Sequence, residues 1–187
     1  AVNCIYRDDN KRLIGTNTDG AGALWSLKSV YGDLKGARVL LLGAGGAALA
    51  VAIYVSKALS KKGKIFISNR TKKPLIELKK KLSNIISEVD LLPWPPPIEK
   101  VKEVDIIINC SSIGFENFKK DKKGTHSLKF FSPLGNINKN IRVQKSNELL
   151  KDYAYKAAKD ISKNVLETIR FLSKCQNPMV FDIVYQP

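Results

Sequence analysis

This 187-residue sequence predicts an α/β fold, a doubly wound and mainly parallel sheet with helices on both faces, from three observations. From Lys35 onward, short apolar runs alternate with helical patterns, as β-α-β units do. The runs are apolar almost throughout, which suits strands covered on both faces. A glycine-rich turn lies directly between the first run and the helix that follows it. The length suits one core with an appendage. Hydrophobic residues at 44% and charged residues at 26% argue against disorder, collagen or a disulfide scaffold.

Taken in order, residues 2–6 and 12–14 flank the turn-forming Asp8, Asp9 and Asn10 and predict a strand or hairpin. Residues 19–31 predict a helix, with Leu24, Leu27 and Tyr31 on one stripe. Strands at 38–42, 64–68 and 105–109 enclose helices at 47–59 and 71–86. The run Pro93-Trp94-Pro95-Pro96-Pro97 lacks backbone donors and reads as an extended surface connector. Residues beyond Gly114, with Lys119, Lys120, Lys122 and Lys123 around Asp121 and glycine and asparagine through 135–140, read as loop. Leu150, Tyr153, Ala157, Ile161, Val165, Ile169 and Leu172 then recur three and four apart, predicting a long helix packed on the sheet, with Ser146 capping its start and Asn177-Pro178 its end. Residues 179–185 predict a final strand. Residues 1–34 thus read as a lead-in strand and helix, and residues 35–187 as a domain carrying an inserted loop and long helix at about 115–178.

The net charge of +15, nearly all lysine, favours an anionic partner without naming one. Aromatic residues do not interleave with the lysines, so nucleic acid is not expected. The longest apolar runs, 39–42 and 47–55, are broken by glycines and too short to span a bilayer. Residues 1–10 lack the order of a secretory signal, and Cys4, Cys110 and Cys175 are widely spaced and odd in number. A reducing cytoplasm is therefore predicted. His126, the single histidine, lies among lysines without a neighbouring cysteine or carboxylate, so no metal site is expected. Cys110 reads as a small buried thiol.

Gly43-Ala44-Gly45-Gly46-Ala47-Ala48 fits a dinucleotide fingerprint and makes the predicted fold Rossmann-like. The first glycine makes the turn, the second lets backbone approach a pyrophosphate, and the small sixth residue permits close packing. The helix start then offers free N–H groups to phosphate. At the end of the next strand, Asn69, Arg70, Thr71, Lys72 and Lys73 stand where an NAD enzyme would carry a carboxylate for the ribose 2′-hydroxyl. Positive charge and a hydroxyl there predict NADP, with Arg70 on the 2′-phosphate. Gly15-Thr16-Asn17-Thr18-Asp19-Gly20 is a tight polar turn before a helix, which Thr18 or Asp19 could simply cap. Asn109-Cys110-Ser111-Ser112-Ile113-Gly114 follows a strand expected beside the fingerprint and would face the same crevice.

In this order, Ala1-Val2-Asn3, residues 15–20, residues 43–47, Asn69-Arg70-Thr71, residues 109–114 and Asp182-Ile183-Val184-Tyr185 resemble the shikimate dehydrogenase family. That family reduces 3-dehydroshikimate to shikimate with NADPH, reversibly, in aromatic amino-acid biosynthesis. The resemblance implies that Asn3, Asp19 and Tyr185 contact the substrate, with Asp19 the acidic half of a lysine-aspartate catalytic pair. It implies cofactor contacts at Ser111 and Ile183, beside those at Gly43, Ala44, Gly45, Gly46, Ala47, Asn69, Arg70, Thr71 and Lys72. The family's catalytic lysine belongs to a substrate domain that nothing here matches, so the chain is expected to be a fragment, able to bind cofactor but catalytically incomplete. Ser112 stands where the family commonly has proline, and 114–182 is longer than the family pattern. Quinate or another polyol acid is the alternative substrate, and a basic Rossmann-like binding module without catalysis the alternative of another class. A homodimer is compatible with either.

Overall fold

The computed structural model describes residues 2–86, 88–114, 132–135 and 150–183. Its main sheet has five parallel strands: β3 (Arg38–Leu42), β4 (Lys64–Ser68), β5 (Glu88–Leu92), β6 (Ile106–Asn109) and β7 (Met179–Asp182). Across the sheet they run β5-β4-β3-β6-β7. The chain therefore winds outward from β3 on one side, then returns to wind outward on the other. Ahead of the sheet, β1 (Cys4–Arg7) and β2 (Leu13–Thr16) form an antiparallel hairpin, followed by α1 (Asp19–Tyr31).

Period-two alternation in the central strands builds two cores. Val39 and Leu41, Ile65 and Ile67, and Ile106 and Ile108 point to one face. There they meet α1, α2 (Gly46–Leu59) and α3 (Lys72–Leu82) through Leu27, Val51, Val55, Leu75 and Leu78. Leu40, Leu42, Phe66 and Ile107 point to the other face. They meet Val101 of α4 (Ile98–Val101), Val104, Leu134, and Phe171 of α5 (Leu150–Ser173). Helices on both faces are what the continuous apolar runs required.

Several expectations need correcting. β5 is a strand the sequence reading left unassigned, because Glu88 and Asp90 interrupt its apolar residues; as an edge strand it exposes both toward Lys64, which lies 3.4 Å from Glu88 and 3.0 Å from Asp90. Helix α3 stops at Leu82, short of residue 86, and the last strand stops at Asp182. The long helix does pack on the sheet, but not through Val165 and Ile169, which are exposed. Its buried side runs through Asn164 and Phe171, and Cys175 just past its end is buried with them. Asn164 accepts a hydrogen bond from the Ser132 N–H at 2.7 Å and donates to the Ser132 carbonyl at 3.0 Å, clamping the 132–135 segment onto the helix. A polar residue in that stripe hides it from a search for apolar spacing. Ser146, His126, the lysine run at 119–123 and residues 136–140 lie outside the described residues.

Among the described residues no helix is long and apolar enough to cross a membrane.

Candidate functional site

The last residues of the five strands lie in one transverse row, Leu92, Ser68, Leu42, Asn109 and Asp182, each the register partner of the next. Directly beyond that row come Asn69 to Lys72, Gly43 to Ala47, Cys110 to Gly114 and Ile183. The winding reverses between β3 and β6, and in open α/β sheets the ligand crevice lies at that switch point. Most predicted cofactor residues are thus brought to one edge.

Gly43 has φ +105, and a Cβ there would lie 2.8 Å from the Cys110 carbonyl oxygen. Glycine is needed for both the backbone conformation and the close approach. Gly45 begins α2 in ordinary extended geometry, and a Cβ at Gly45 or Gly46 would meet nothing within 4 Å. These two glycines leave open room at the start of α2. The helix start carries no side-chain cap and no acidic residue in its first turn, so its N–H groups and positive dipole end are available to an anion. Ala48, the sixth fingerprint residue, is fully buried between helix and sheet.

At the end of β4, Asn69 donates to the Thr71 carbonyl at 3.1 Å and to the Thr71 hydroxyl at 3.0 Å, holding the turn that presents Arg70. Arg70, Thr71 and Lys72 are exposed. Arg70 and Lys72 have no ion-pair partner among the described residues. Helix α3 begins there with Lys72 and Lys73 and no acidic residue in its first turn. Cations at a helix N-terminus are unfavourable unless an anion joins them.

Beyond β6, Asn109 is buried and Ser111 half-buried. The Ser111 hydroxyl, a predicted cofactor contact, donates to Asn109 Oδ1 at 2.7 Å and accepts from the Ile113 N–H at 3.2 Å, so it also shapes its own turn. The Cys110 thiol is pushed up to about 12, by burial first and then by the Asp182 charge. It stays a thiol at neutral pH, in keeping with its reading as a packed side chain. The Ile183 N–H donates to the Asn109 carbonyl at 3.2 Å, which fixes Ile183 beside this turn.

Asn3 and Asp19 are also brought together. Asn3 Nδ2 donates to Asp19 Oδ1 at 2.6 Å and to Thr18 Oγ1 at 3.1 Å, and Asn3 Oδ1 accepts from the Thr18 N–H at 2.9 Å. Thr18 makes no side-chain capping bond to α1, so simple capping does not account for this turn. A Cβ on Gly20 would come within 2.4 Å of the Ala50 carbonyl, which means that α1 crosses α2 with backbone contact and holds Asp19 toward the fingerprint end of α2. Tyr185 lies outside the described residues.

Asn109 opens the motif expected to face the crevice and Ser68 closes the strand before Asn69, but the sequence does not show what either side chain holds. Both are buried polar residues at strand ends, and Ser68 donates to the Pro93 carbonyl at 2.6 Å. A polar residue closing an apolar strand was the available cue. A separate cavity of about 450 Å³ lies at the opposite edge of the sheet, among Arg38, Lys62, Lys64, Glu88, Glu99 and Glu103. Its charges are interleaved, Arg38 pairing with Glu103 and Lys64 with Glu88 and Asp90. None of the predicted site residues lines it. No group of three or more histidine, cysteine, aspartate or glutamate residues able to hold a metal occurs among the described residues.

Comparison with known proteins agrees with this geometry. The NADP(+)-type shikimate dehydrogenase of Pelagibacter ubique is 35% identical over 162 residues, covering 76% of this chain and 57% of the relative. A crystal structure of a shikimate dehydrogenase in complex with NADP+ matches 97% of this chain and 55% of its own, with 25% identity and a TM-score of 0.54. The ligand-free 5-ketofructose reductase of a Gluconobacter species matches 61% of this chain and 40% of its own, with 37% identity and a TM-score of 0.51. The chain spans 57% of the Pelagibacter relative and 40% or less of shikimate dehydrogenases from Staphylococcus haemolyticus and Aquifex aeolicus. Residues 26–123, which hold the fingerprint, the Arg70 turn and the β6 turn, match the shikimate / quinate 5-dehydrogenase family, and the chain belongs to that family.

Proposed function

We propose that this chain is the cofactor-binding part of an NADP-dependent oxidoreductase of shikimate dehydrogenase type. The observation that carries the reading is the Arg70 turn: a guanidinium with no ion-pair partner among the described residues, at a lysine-rich helix start with no acidic residue in its first turn, on the same sheet edge as the open start of α2. NADP fits these residues. Gly43 to Ala47 and the first N–H groups of α2 would hold the pyrophosphate, Asn69 to Lys72 the adenosine 2′-phosphate, and Ser111 and Ile183 the ribose and nicotinamide. When bound, the nicotinamide accepts or donates hydride.

On the substrate side, Asp19 would accept a hydrogen bond from a substrate hydroxyl and serve as the acidic half of a catalytic pair. Asn3 orients its carboxylate through the 2.6 Å bond. Tyr185 would join them. The lysine expected to share the proton is not among these residues, so the chain alone should bind cofactor without ordinary turnover. Residues 1–34 serve as the lead-in and 35–187 as the cofactor domain. Shikimate and 3-dehydroshikimate are the proposed substrate pair, in the cytoplasm and in aromatic amino-acid biosynthesis.

Titration of the chain with NADPH and NADH, followed by addition of 3-dehydroshikimate, tests this. Tighter NADPH binding with little or no oxidation is expected. Equal affinities, or turnover at an ordinary enzyme rate, would contradict it.

A further inference from the structure

We infer that Asn109 is a positioning residue that sets the spacing between the two walls of the crevice, the turn after β6 and the segment after β7. The side chain is 2% exposed and every hydrogen-bonding position on its amide is used. Nδ2 donates to the Ile113 carbonyl at 3.0 Å and to Asp182 Oδ1 at 3.1 Å. Oδ1 accepts from the Ser111 N–H at 3.0 Å and from the Ser111 hydroxyl at 2.7 Å.

The orientation of this amide is fixed chemically. The Ser111 N–H can only donate and the Ile113 carbonyl can only accept, so a flipped amide would break both bonds. Three bonds curl residues 111–113 back over the end of β6, and a fourth reaches across to β7. The Asn109 carbonyl adds a fifth tie by accepting from the Ile183 N–H. One side chain therefore fixes both Ser111 and the stretch that leads to Ile183, the two residues assigned to the nicotinamide end.

Aspartate at this position would keep the size, lose both donors and set a second carboxylate against Asp182. The fingerprint turn and Arg70 would keep their own supports, since Gly43 donates to the Ser68 carbonyl and Asn69 holds the Arg70 turn. The effect should fall on the nicotinamide end alone.

This inference rests on the NADP reading, and the test separates the two. The whole chain, as wild type and as Asn109→Asp, is titrated with NADPH and with adenosine 2′,5′-bisphosphate, which carries the phosphate and adenosine but no nicotinamide. NADPH affinity should fall about tenfold or more in Asn109→Asp, while the bisphosphate stays within about threefold. Adding Asp182→Asn restores a 109–182 hydrogen bond with reversed polarity and should return part of the loss. Should Asn109→Asp fail to fold, Asp182→Ala removes the partner of Asn109 Nδ2 at an exposed side chain and should weaken NADPH about three- to fivefold, again sparing the bisphosphate. Equal loss of both ligands, or no change in NADPH binding by a folded variant, would overturn the positioning role. A wild-type chain that binds the bisphosphate no better than AMP would instead overturn the NADP reading, and the inference with it.

Discussion

Gly43 and Cys110 meet backbone to backbone: a Cβ on Gly43 would stand 2.8 Å from the Cys110 carbonyl oxygen and 3.0 Å from the Ser111 nitrogen. The turn after β3 and the turn after β6 are thus one packed unit, and the crevice between them has a fixed floor. Gly45, two residues on, faces open space in a backbone conformation any residue can adopt.

The two glycines should therefore fail in different ways. Gly43→Ala combines positive φ with a backbone clash and should lose about 2–4 kcal/mol of stability, read by denaturant unfolding. Gly45→Ala should unfold like wild type yet bind NADPH at least about tenfold more weakly, because its methyl occupies the room left for phosphate. Parallel effects of both substitutions on stability would contradict this division.

Gly20 is the contact through which α1 rests on α2. A Cβ there would sit 2.4 Å from the Ala50 carbonyl and 2.5 Å from the Tyr54 ring, and since the Ala50 carbonyl is backbone, the helices must part. Gly20→Ala should cost about 1–3 kcal/mol. Ser29→Ala, on an exposed part of the same helix, should stay within about 0.5 kcal/mol. Matching unfolding midpoints for the two variants would show that α1 is not held in this way.

Cys110 makes stability sensitive to alkali. Its folded thiol lies at about 12 against an ordinary value of 9.0, so the native state keeps a proton that the unfolded state releases. The stabilisation is complete below about pH 9 and is lost as pH rises toward 12. Unfolding free energies measured from pH 8 to 11 should fall less steeply in Cys110→Ala than in wild type, with the change in slope as the readout. Identical slopes would contradict the burial and Asp182 argument.

Much of this organisation is legible in the residues. The runs at 38–42 and 64–68 and the bounds of the helix at 19–31 appear as read, because fully covered strands state their environment directly. The buried face of α1 is Gly20, Ala23 and Leu27 rather than the stripe of Leu24, Leu27 and Tyr31, since its small residues let it close on α2 and leave Tyr31 exposed. The Gly43 to Ala48 turn falls where its flanking strand and helix require. β5 escaped because an edge strand mixes Glu88 and Asp90 with Val89 and Leu92, and its charges answer to Lys64 on the neighbouring strand. The buried side of α5 escaped because Asn164 breaks the apolar stripe, and the value of that asparagine depends on a segment 32 residues earlier. Asn109 is legible as the start of the crevice motif, but its tie to β7 is not, since its partner Asp182 is 73 residues away.

The central claim is that the end of β4 selects a 2′-phosphate through Arg70. The most direct measurement is titration of the wild-type chain and Arg70→Ala with NADPH and NADH at one salt concentration. The wild type should prefer NADPH, and Arg70→Ala should weaken NADPH by about ten- to a hundredfold while leaving NADH nearly unchanged, so that the preference disappears. An unchanged preference in Arg70→Ala, or a wild type that favours NADH, would contradict it.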